Sequence, residues 1–450
     1  MIIRARSLLV TAARGWLCGA PLVTALVLAA VPVLALEAPL VYQQYSGNEK
    51  TFHPYGVAML KFTSSPPPGA WKLPSFVSSR PAYAVARLGE QDRLFVLDQQ
   101  KAKDTFYNRL YFDTNANRDL TDDPVVGTKI EQDDYSMGAT FPVIDTTVLV
   151  DNTQMPYRFT VSANYFKGDD QPKGRFDWTR LFGTVNVQCA YKGEFELGGQ
   201  YYRLWLGDAN ANARFDDIAS LSSQEQRAQT GRIDALGDHF YLTAEREVFD
   251  RDRQVLSDQL IVNNQLFDLR ISPTRNMLTL TPVTVELAPL KLLYVPEHLS
   301  IYTQDEKHFM AIYKPSDTVM IPPGSYHLLA YEALRNDDQG DGWTLSAAAT
   351  PDCTPVTVQK AAEPALAFGE PYNILAKVMK SPLQEGSETV NLAFNARGTG
   401  MEVVTDLARV TGNKTRIAMS PKSKQRPKEP TYKIVDPSGE LVAQGQFEYG

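Results

Sequence analysis

Apolar and polar residues alternate with a period of two along most of the chain, in short runs rich in Val, Ile, Tyr, Phe and Thr. Clusters of Gly, Pro, Asn and Asp bound these runs. The pattern is typical of β-strands. It predicts strands in the first two thirds of the chain at residues 83–88, 93–97, 157–166, 185–197, 201–206, 260–271 and 277–287. Helical periodicity predicts one short surface helix, at residues 218–228. The predicted fold class is therefore mainly β.

The character of the chain changes near Ala288. Further strands are predicted beyond it, at residues 291–295, 326–331, 344–348, 354–359, 372–379, 389–394, 402–410, 431–435 and 441–448. Strands of this length and spacing favour C-terminal β-sandwich modules of the immunoglobulin-like or transthyretin-like type. The sequence lacks the Cys and Trp signature of true immunoglobulin domains, so the prediction concerns architecture alone.

Two polar segments, residues 113–123 and 208–217, each follow the second strand of a predicted hairpin, and their first Asp residues lie 95 positions apart. A duplicated β unit is the simplest explanation of this weak repeat. The predicted organisation along the chain is a signal segment at 1–35, a first β unit at 36–168, a second β unit at 169–287, a β module at 288–360 and a C-terminal β-sandwich at 361–450.

The two segments have the pattern of calcium loops. Oxygen-bearing side chains stand at positions 1, 3 and 5, an apolar anchor at position 8 and carboxylates just after it, as a hard cation with 6 to 8 oxygen ligands requires. The candidate ligands are Asp113, Asn115, Asn117, Asp119, Asp122 and Asp123 in the first loop, and Asp208, Asn210, Asn212, Arg214 through its carbonyl, Asp216 and Asp217 in the second. Aligning the anchors Leu120 and Phe215 superposes Asp122 on Asp217, which makes this pair the preferred closing ligands.

Both loops depart from the EF-hand pattern. Arg118 and Ala213 occupy the sixth position, where an EF-hand has Gly, and Pro124 and Ala219 replace the Glu at the twelfth. Predicted strands precede the loops, which argues against a helix-opening calcium sensor. The alternative is that the Asx side chains only bond their own backbone in tight turns. A third polar segment, residues 337–342, is better explained as an Asp-Gly hairpin turn.

The N-terminus carries Arg4, Arg6 and Arg14 ahead of an apolar run and has no acid before Glu37, which predicts a secretory signal. Cleavage is expected after Ala35, with Ala38 as the alternative. An uncleaved anchor stays open, because residues 15–36 carry no charge and are long enough to span a bilayer. In either case the bulk of the chain is expected to be extracytoplasmic, and membrane contact is expected only if the segment is kept.

The net charge limits the classes of binding partner, and the cysteine content limits the disulfides that can form. Residues 1–35 hold three basic residues and no acids, so their removal leaves 42 basic and 52 acidic side chains and a net charge of −10. This balance disfavours nucleic acid as a partner. The two remaining cysteines, Cys189 and Cys353, are compatible with one disulfide in an oxidising compartment or with two unpaired thiols.

Nothing in the sequence identifies a reaction. It contains no His-Glu-x-x-His site, no Gly-x-Ser-x-Gly elbow, no phosphate loop and no Cys-x-x-Cys pair. The preferred interpretation is a non-catalytic binding, envelope or surface-associated protein stabilised by calcium, whose partner is a polysaccharide or another envelope protein. The alternative is an extracytoplasmic hydrolase acting on polysaccharide or peptide. That alternative requires acids or a His to converge in a cleft away from the loops.

The export signal, the Asp-x-Asn-x-Asn loops and the closing segment Gln444-Gly-Gln-Phe-Glu-Tyr-Gly450 together resemble a group of exported bacterial proteins of uncharacterised activity that carry calcium-type loops on a β scaffold. The resemblance covers about a tenth of the chain. It implies that the protein is exported and that its loops bind calcium. It implies no reaction. The loops are more loosely similar to those of dockerins, which are extracellular calcium modules without catalysis.

Overall fold

The computed structural model describes residues 35–46, 52–167, 176–272, 274, 276–338, 340–379, 391–410, 420 and 426–447. Strands account for most of these residues, so the prediction of a mainly β chain is confirmed. Most of the predicted signal segment lies outside the described residues.

The strands are short and are numbered in chain order. Those up to residue 167 are β1 Leu36–Gln44, β2 Val57–Lys61, β3 Ala82–Leu88, β4 Gln91–Asp98, β5 Arg109–Phe112, β6 Val126–Gly127, β7 Glu131–Gln132, β8 Ser136–Thr140, β9 Ile144–Val150 and β10 Thr153–Phe166. Those from 176 to 292 are β11 Leu181–Val187, β12 Cys189–Leu197, β13 Gln200–Gly207, β14 Ser220–Leu221, β15 Ala235–Leu236, β16 His239–Thr243, β17 Arg253–Val255, β18 Gln259–Val262, β19 Gln265–Ser272, β20 Met277–Pro282 and β21 Ala288–Leu292.

The remaining strands are β22 His298–Thr303, β23 Phe309–Tyr313, β24 Thr318–Ile321, β25 Gly324–Asn336, β26 Gly342–Ala348, β27 Val356–Val358, β28 Ala365–Leu366, β29 Asn373–Met379, β30 Asn391–Arg397, β31 Val403–Arg409, β32 Thr431–Val435 and β33 Leu441–Gln446. Three short helices interrupt them: the 3-10 helices Trp178–Arg180 and Asp250–Asp252, and the α-helix α1 Gln224–Thr230.

The largest sheet has 16 strands in the order β17-β16-β13-β12-β1-β20-β19-β18-β23-β22-β25-β26-β31-β30-β29, with β27 paired to β25. A second sheet contains β2, β11, β10, β8 and β7 with β9 paired to β10, and a third has the order β3-β4-β5-β6. Three small sheets complete the described fold: β24-β21-β28, β14-β15 and β32-β33.

The large sheet curls back on itself. Its first strand, β17, lies next to β22, nine strands further along the sheet, because Gln254 of β17 and His298 of β22 are 3.3 Å apart. Strand β1 lies within the sheet between β12 and β20, with Leu36 opposite Leu280 and Gln44 opposite Cys189. The first described strand of the chain is thus an interior strand of the sheet.

Three differences from the predicted elements have local causes. The predicted strand 185–197 is two strands, because the chain changes sheet at Gln188. The predicted strand 260–271 is a hairpin that turns at Asn263 and Asn264, both in the left-handed conformation that a two-residue turn favours. The predicted helix starts six residues late, at Gln224, because Ser223 and Gln226 form a capping box there.

Alternation along the strands builds the core. In β10, Met155, Tyr157, Phe159 and Val161 are buried while the residues between them are not fully buried. A large apolar cluster includes residues from β1 to β23, and a second one runs from Ala219 to Phe368. Cys189 lies in the first cluster and Cys353 beside the second, and both thiols are free.

Candidate functional site

The two predicted loops have left-handed residues at the same two positions. The first begins directly after β5 and the second directly after β13. In each loop the fourth and sixth residues are left-handed: Ala116 and Arg118 have φ of 60° and 64°, and Ala211 and Ala213 have φ of 53° and 67°. Non-glycine side chains pay a strain cost in this region. The turn that Gly permits in an EF-hand therefore forms here with larger residues.

The side chains of both loops bond their own backbone in the same pattern. The Asn Oδ1 at the third position accepts from the N–H of the fifth residue, and the Asn Oδ1 at the fifth position accepts from the N–H of the seventh. These pairs are Asn115 with Asn117 and Asn117 with Asp119 in the first loop, and Asn210 with Asn212 and Asn212 with Arg214 in the second. These are Asx turns, the arrangement that the alternative interpretation expects.

The closing residues also correspond. Asn117 Nδ2 donates to Asp122 Oδ2 over 2.8 Å, and Asn212 Nδ2 donates to Asp217 Oδ2 over 2.6 Å. The anchors are buried as expected, with Leu120 1% and Phe215 4% exposed. The alignment that superposes Asp122 on Asp217 thus describes the geometry of both loops.

The first residue of the first loop, Asp113, is fully buried, and neither of its carboxylate oxygens has a well-formed hydrogen bond with any described residue. Burial raises the pKa of Asp113, and the positive charge of Arg93 and nearby backbone amides offset this in part. Arg93 Nη1 donates to the Asp113 carbonyl rather than to the carboxylate. A buried carboxylate in this state carries a desolvation cost that a bound cation would relieve.

Asp208 is equally buried, but three donors satisfy it. Tyr157 Oη donates to Oδ2 over 2.8 Å, the Ala213 N–H donates to Oδ2 over 2.7 Å, and the Asn212 N–H donates to Oδ1 over 3.2 Å. Burial nevertheless raises the pKa of Asp208 to about 7, against the effect of these donors. The two first-position acids therefore have different surroundings.

A second acid bonds the backbone of each loop: the buried Asp238 in the second and the partly buried Asp123 in the first. Asp238 Oδ1 and Oδ2 accept from the N–H groups of Ala209 and Asp217, which lie near the two ends of the second loop. Burial and the neighbouring Asp208 raise its pKa. Asp123 Oδ1 accepts from the Thr114 N–H in the corresponding way. Asp238 is not among the residues predicted from the sequence, where its only signal is its place after Gly237 and immediately before β16.

Other candidate ligands are engaged in ion pairs. Asp119 lies 2.6 Å from Lys72 and has its pKa lowered to about 2, mainly by hydrogen bonds from Lys72 and Thr121. Asp216 forms a two-pronged pair with the Arg214 guanidinium, at 3.0 Å for both contacts. These two carboxylates are directed at neighbouring cations and donors.

Both loops are attached to the same hairpin, β9–β10. Thr146 of β9 donates to the Thr114 carbonyl of the first loop, and Arg93 joins Asp113 to the Thr147 carbonyl. Tyr157 of β10, which pairs with Thr146, bonds the second loop, and Asp151 in the turn of the hairpin pairs with Arg214. Both loops therefore contact the same hairpin.

Within the described residues, no group of three or more His, Cys, Asp or Glu side chains is arranged to hold a metal ion. The loop amides and main-chain carbonyls are oxygen donors outside that residue set. Strands β25 and β26 pair as a hairpin, and between them Asp337 accepts from Asp341 N and Trp343 Nε1, in agreement with the prediction of a hairpin turn.

Away from the loops, a cavity of about 490 Å³ lies where β17 meets the middle of the large sheet. Its floor includes a row of four polar residues that face one another across neighbouring strands: His298 of β22, Glu332 of β25, Ser346 of β26 and Asp406 of β31. His239, Arg253 and Gln254 form the wall. This row could not be predicted from the sequence, because its members come from four separate strands.

Burial sets the protonation of two cavity residues. It raises the pKa of Glu332 to about 7, helped by Asp406 and Asp252 and opposed by Ser346 and Arg253. It lowers the pKa of His239 to about 4. His298 is buried and engaged by Gln254 at 3.3 Å and Asp252 at 3.7 Å. The cavity is therefore lined by a neutral imidazole and by a carboxyl that titrates near neutral pH.

Comparisons of the chain with protein-family models, with curated proteins and with solved structures gave no match. The helices in the described part of the chain are too short or too polar to cross a membrane.

Proposed function

We propose that this chain is an exported, calcium-stabilised β protein that binds or presents at the envelope or cell surface rather than catalysing a reaction. The observation that carries the proposal is the carboxylate of Asp113, fully buried at the base of an oxygen-rich loop without a well-formed hydrogen bond. Arg93 donates to the Asp113 carbonyl and not to its carboxylate, and calcium would supply the direct contact that the carboxylate lacks, since it takes oxygen ligands in flexible geometry.

The calcium ligands in this proposal are the oxygens of the two loops. Asn and Asp oxygens that already accept one N–H keep a second lone pair for a cation. Two neutral amides in each loop lower its negative charge, which suits the weak affinity of extracellular modules, roughly 10⁻⁴ to 10⁻³ M. The ions stabilise the contacts of both loops with the β9–β10 hairpin by mass action on the folded state.

The matching backbone, amide bonds and closing Asp residues of the two loops support the proposal that residues 36–168 and 169–287 are duplicated β units. We also propose that the strands beyond residue 288 make sandwich modules of the immunoglobulin or transthyretin type. Their support is the spacing of short strands from β21 to β33.

The proposal of export rests on the basic N-terminus and the apolar run after it. Cleavage after Ala35 leaves β1 whole, since this strand begins at Leu36. Cleavage after Ala38 removes three of the four residues that pair with β20, including the buried Ala38. The first position is therefore the one proposed, and N-terminal sequencing of the exported protein tests it.

A calcium titration of thermal unfolding tests the function. The melting temperature is expected to rise by a few degrees in millimolar calcium and to fall again with chelator. Asp113→Ala and Asp208→Ala are each expected to reduce the rise. Asp268→Ala, at an exposed position of β19, is the matched control and leaves the rise unchanged. Melting curves that ignore both calcium and chelator contradict the proposal.

The second candidate function is an extracytoplasmic hydrolase. The cavity favours it, because Glu332 and Asp406 face the same space from strands two apart, and Glu332 holds its proton up to about pH 7. Glycoside hydrolysis uses a pair of carboxyl groups that flank the scissile bond. Release of reducing ends from polysaccharide that Glu332→Gln abolishes would establish this candidate over the binding function.

A further inference from the structure

The cavity exists because small side chains lie beside the polar row. Ser300, Ala330 and Ala348 are the small residues. Each lies on the same face of the sheet as its neighbour in the polar row, two positions along the strand from His298, Glu332 and Ser346 respectively. A row of Ser and Ala across three neighbouring strands leaves open the volume that larger side chains would fill. Its size, about 490 Å³, is in the range of small-molecule pockets, roughly 300 to 1,000 Å³.

Two irregularities in strand pairing border this floor. The register of β22 with β25 shifts between Ser300 and Ile301, and that of β26 with β31 shifts between Ser346 and Ala347. Bulges of this kind redirect side chains and are common beside binding sites. Both shifts occur at residues of the cavity floor.

Two residues of the wall each have a buried polar atom that has no partner in the described part of the chain. Gln254 is 4% exposed, and its Oε1 accepts no hydrogen bond because its amide nitrogen is turned to His298. His239 Nδ1 is likewise buried and unbonded. Leaving buried polar atoms unbonded is costly, so such groups indicate a ligand that supplies the missing bonds.

The charges of the cavity largely cancel. Arg232 pairs with Asp234 at 2.7 Å, and Arg426 pairs with Asp406 at 3.0 Å. Arg253 remains as a positive charge, and Glu332 offsets it as a carboxylate above its pKa of about 7. The cavity thus contains an amide acceptor, an imidazole, a carboxyl and a guanidinium. It has no excess of positive charge that would attract a multiply charged anion. Hydroxyl groups, which both donate and accept, complement such a mixture.

We propose that this cavity binds a neutral, polyhydroxylated ligand, namely a saccharide unit of a polysaccharide. This assignment rests on the binding function proposed above and names its ligand class. The Gln254 Oε1 and the His239 imidazole bond ligand hydroxyls in the wall, and Glu332 and Ser346 bond them from the floor.

Titration calorimetry of the full chain tests the assignment. The probes are cellotetraose, xylotetraose, maltotetraose and chitotetraose, with tetragalacturonate as the acidic comparator. At least one neutral tetrasaccharide is expected to bind, and tetragalacturonate is not. Absence of binding by all four neutral probes, or binding of tetragalacturonate alone, overturns the proposal.

Two variants locate the site. Ala348→Leu fills the floor and is expected to weaken binding at least tenfold. Gln254→Met keeps the side-chain size but removes the free acceptor, and a several-fold loss is expected. Ala376→Leu, on the exposed surface of β29 in the same sheet, is the matched control and keeps full binding. Binding that neither cavity variant weakens lies elsewhere and overturns the proposal.

Repeating the titration with chelator separates this proposal from the calcium proposal. The cavity contains none of the candidate calcium ligands, so saccharide binding is expected to persist in chelator below the melting temperature. Binding without any calcium effect on melting refutes only the calcium loops. A calcium effect without binding refutes only the cavity assignment.

Discussion

The loop at Asp113 and the loop at Asp208 share left-handed fourth and sixth residues and a closing Asn–Asp bond, but their first acids meet different surroundings. Three donors converge on Asp208, and a second buried acid, Asp238, lies behind it. Asp113 has the cation Arg93 nearby and no well-formed hydrogen bond from the described residues. Equal sequence spacing has thus produced one loop that is satisfied by protein groups and one that is not.

The difference indicates which of the two loops a bound metal would stabilise more. A carboxylate that already accepts three hydrogen bonds gains less from a cation than one that accepts none, because its desolvation is already compensated. The second loop is therefore expected to hold its shape without metal. The first loop is expected to depend on it.

The largest expected effect comes from the same substitution at both first positions in calcium-free buffer. Asp208→Asn places an NH₂ group against converging donors, and we expect it to lower the free energy of unfolding by about 2–4 kcal/mol. Asp113→Asn removes an unbonded buried charge and is expected to change it by less than about 1 kcal/mol. Urea unfolding with chelator measures both, and equal losses at the two positions would remove the proposed difference between the loops.

The next largest loss of stability is expected at Gly56, which lies against the start of the second loop. A Cβ at Gly56 would lie 1.7 Å from the Asp208 carbonyl oxygen, so Gly56→Ala must displace the start of this loop. We expect a loss of about 1–3 kcal/mol. Gly127→Ala, whose Cβ would meet nothing nearer than 3.6 Å beside the strand that precedes the first loop, is the matched control and should stay within about 0.5 kcal/mol. Similar urea midpoints for the two variants would show that the loop tolerates displacement.

A smaller effect is expected at Tyr157, the hydroxyl donor to Asp208. Asp113 in the first loop has no corresponding donor among the described residues. Tyr157→Phe removes the hydroxyl that bonds Asp208 and should cost about 1–2 kcal/mol. Tyr107→Phe, which removes a hydroxyl bonded to the Arg80 carbonyl, controls for loss of a buried tyrosine hydroxyl in general. A Tyr157 loss no greater than the Tyr107 loss, both from urea unfolding, would mean that the carboxylate gains nothing special from this donor.

Much of this arrangement could be predicted from the sequence, because it is local. Alternation located most strands, the Asx spacing located both loops, and the anchors Leu120 and Phe215 are buried as expected. What stayed hidden depends on distant pairing. Asp238 supports a loop that ends 21 positions earlier, and the His298–Glu332–Ser346–Asp406 row forms only when four strands align. No periodicity within one segment encodes such contacts.

The smallest effect compares the fourth residues of the loops. Ala116 and Ala211 have nearly the same left-handed φ, 60° and 53°, so Gly relieves the same strain at each. Ala211 is only 2% exposed, whereas Ala116 is partly exposed. Ala116→Gly is therefore expected to stabilise the protein by about 0.5–1 kcal/mol. Ala211→Gly loses a buried methyl group worth about 0.8 kcal/mol and should be nearly neutral.

Paired urea unfolding curves of these two variants measure the difference in calcium-free buffer, where metal cannot mask it. A gain at both positions would mean that the Ala211 methyl contributes no packing energy. A loss at both would mean that the left-handed backbone carries little strain at the fourth position, because the flanking strands and supporting acids impose the turn.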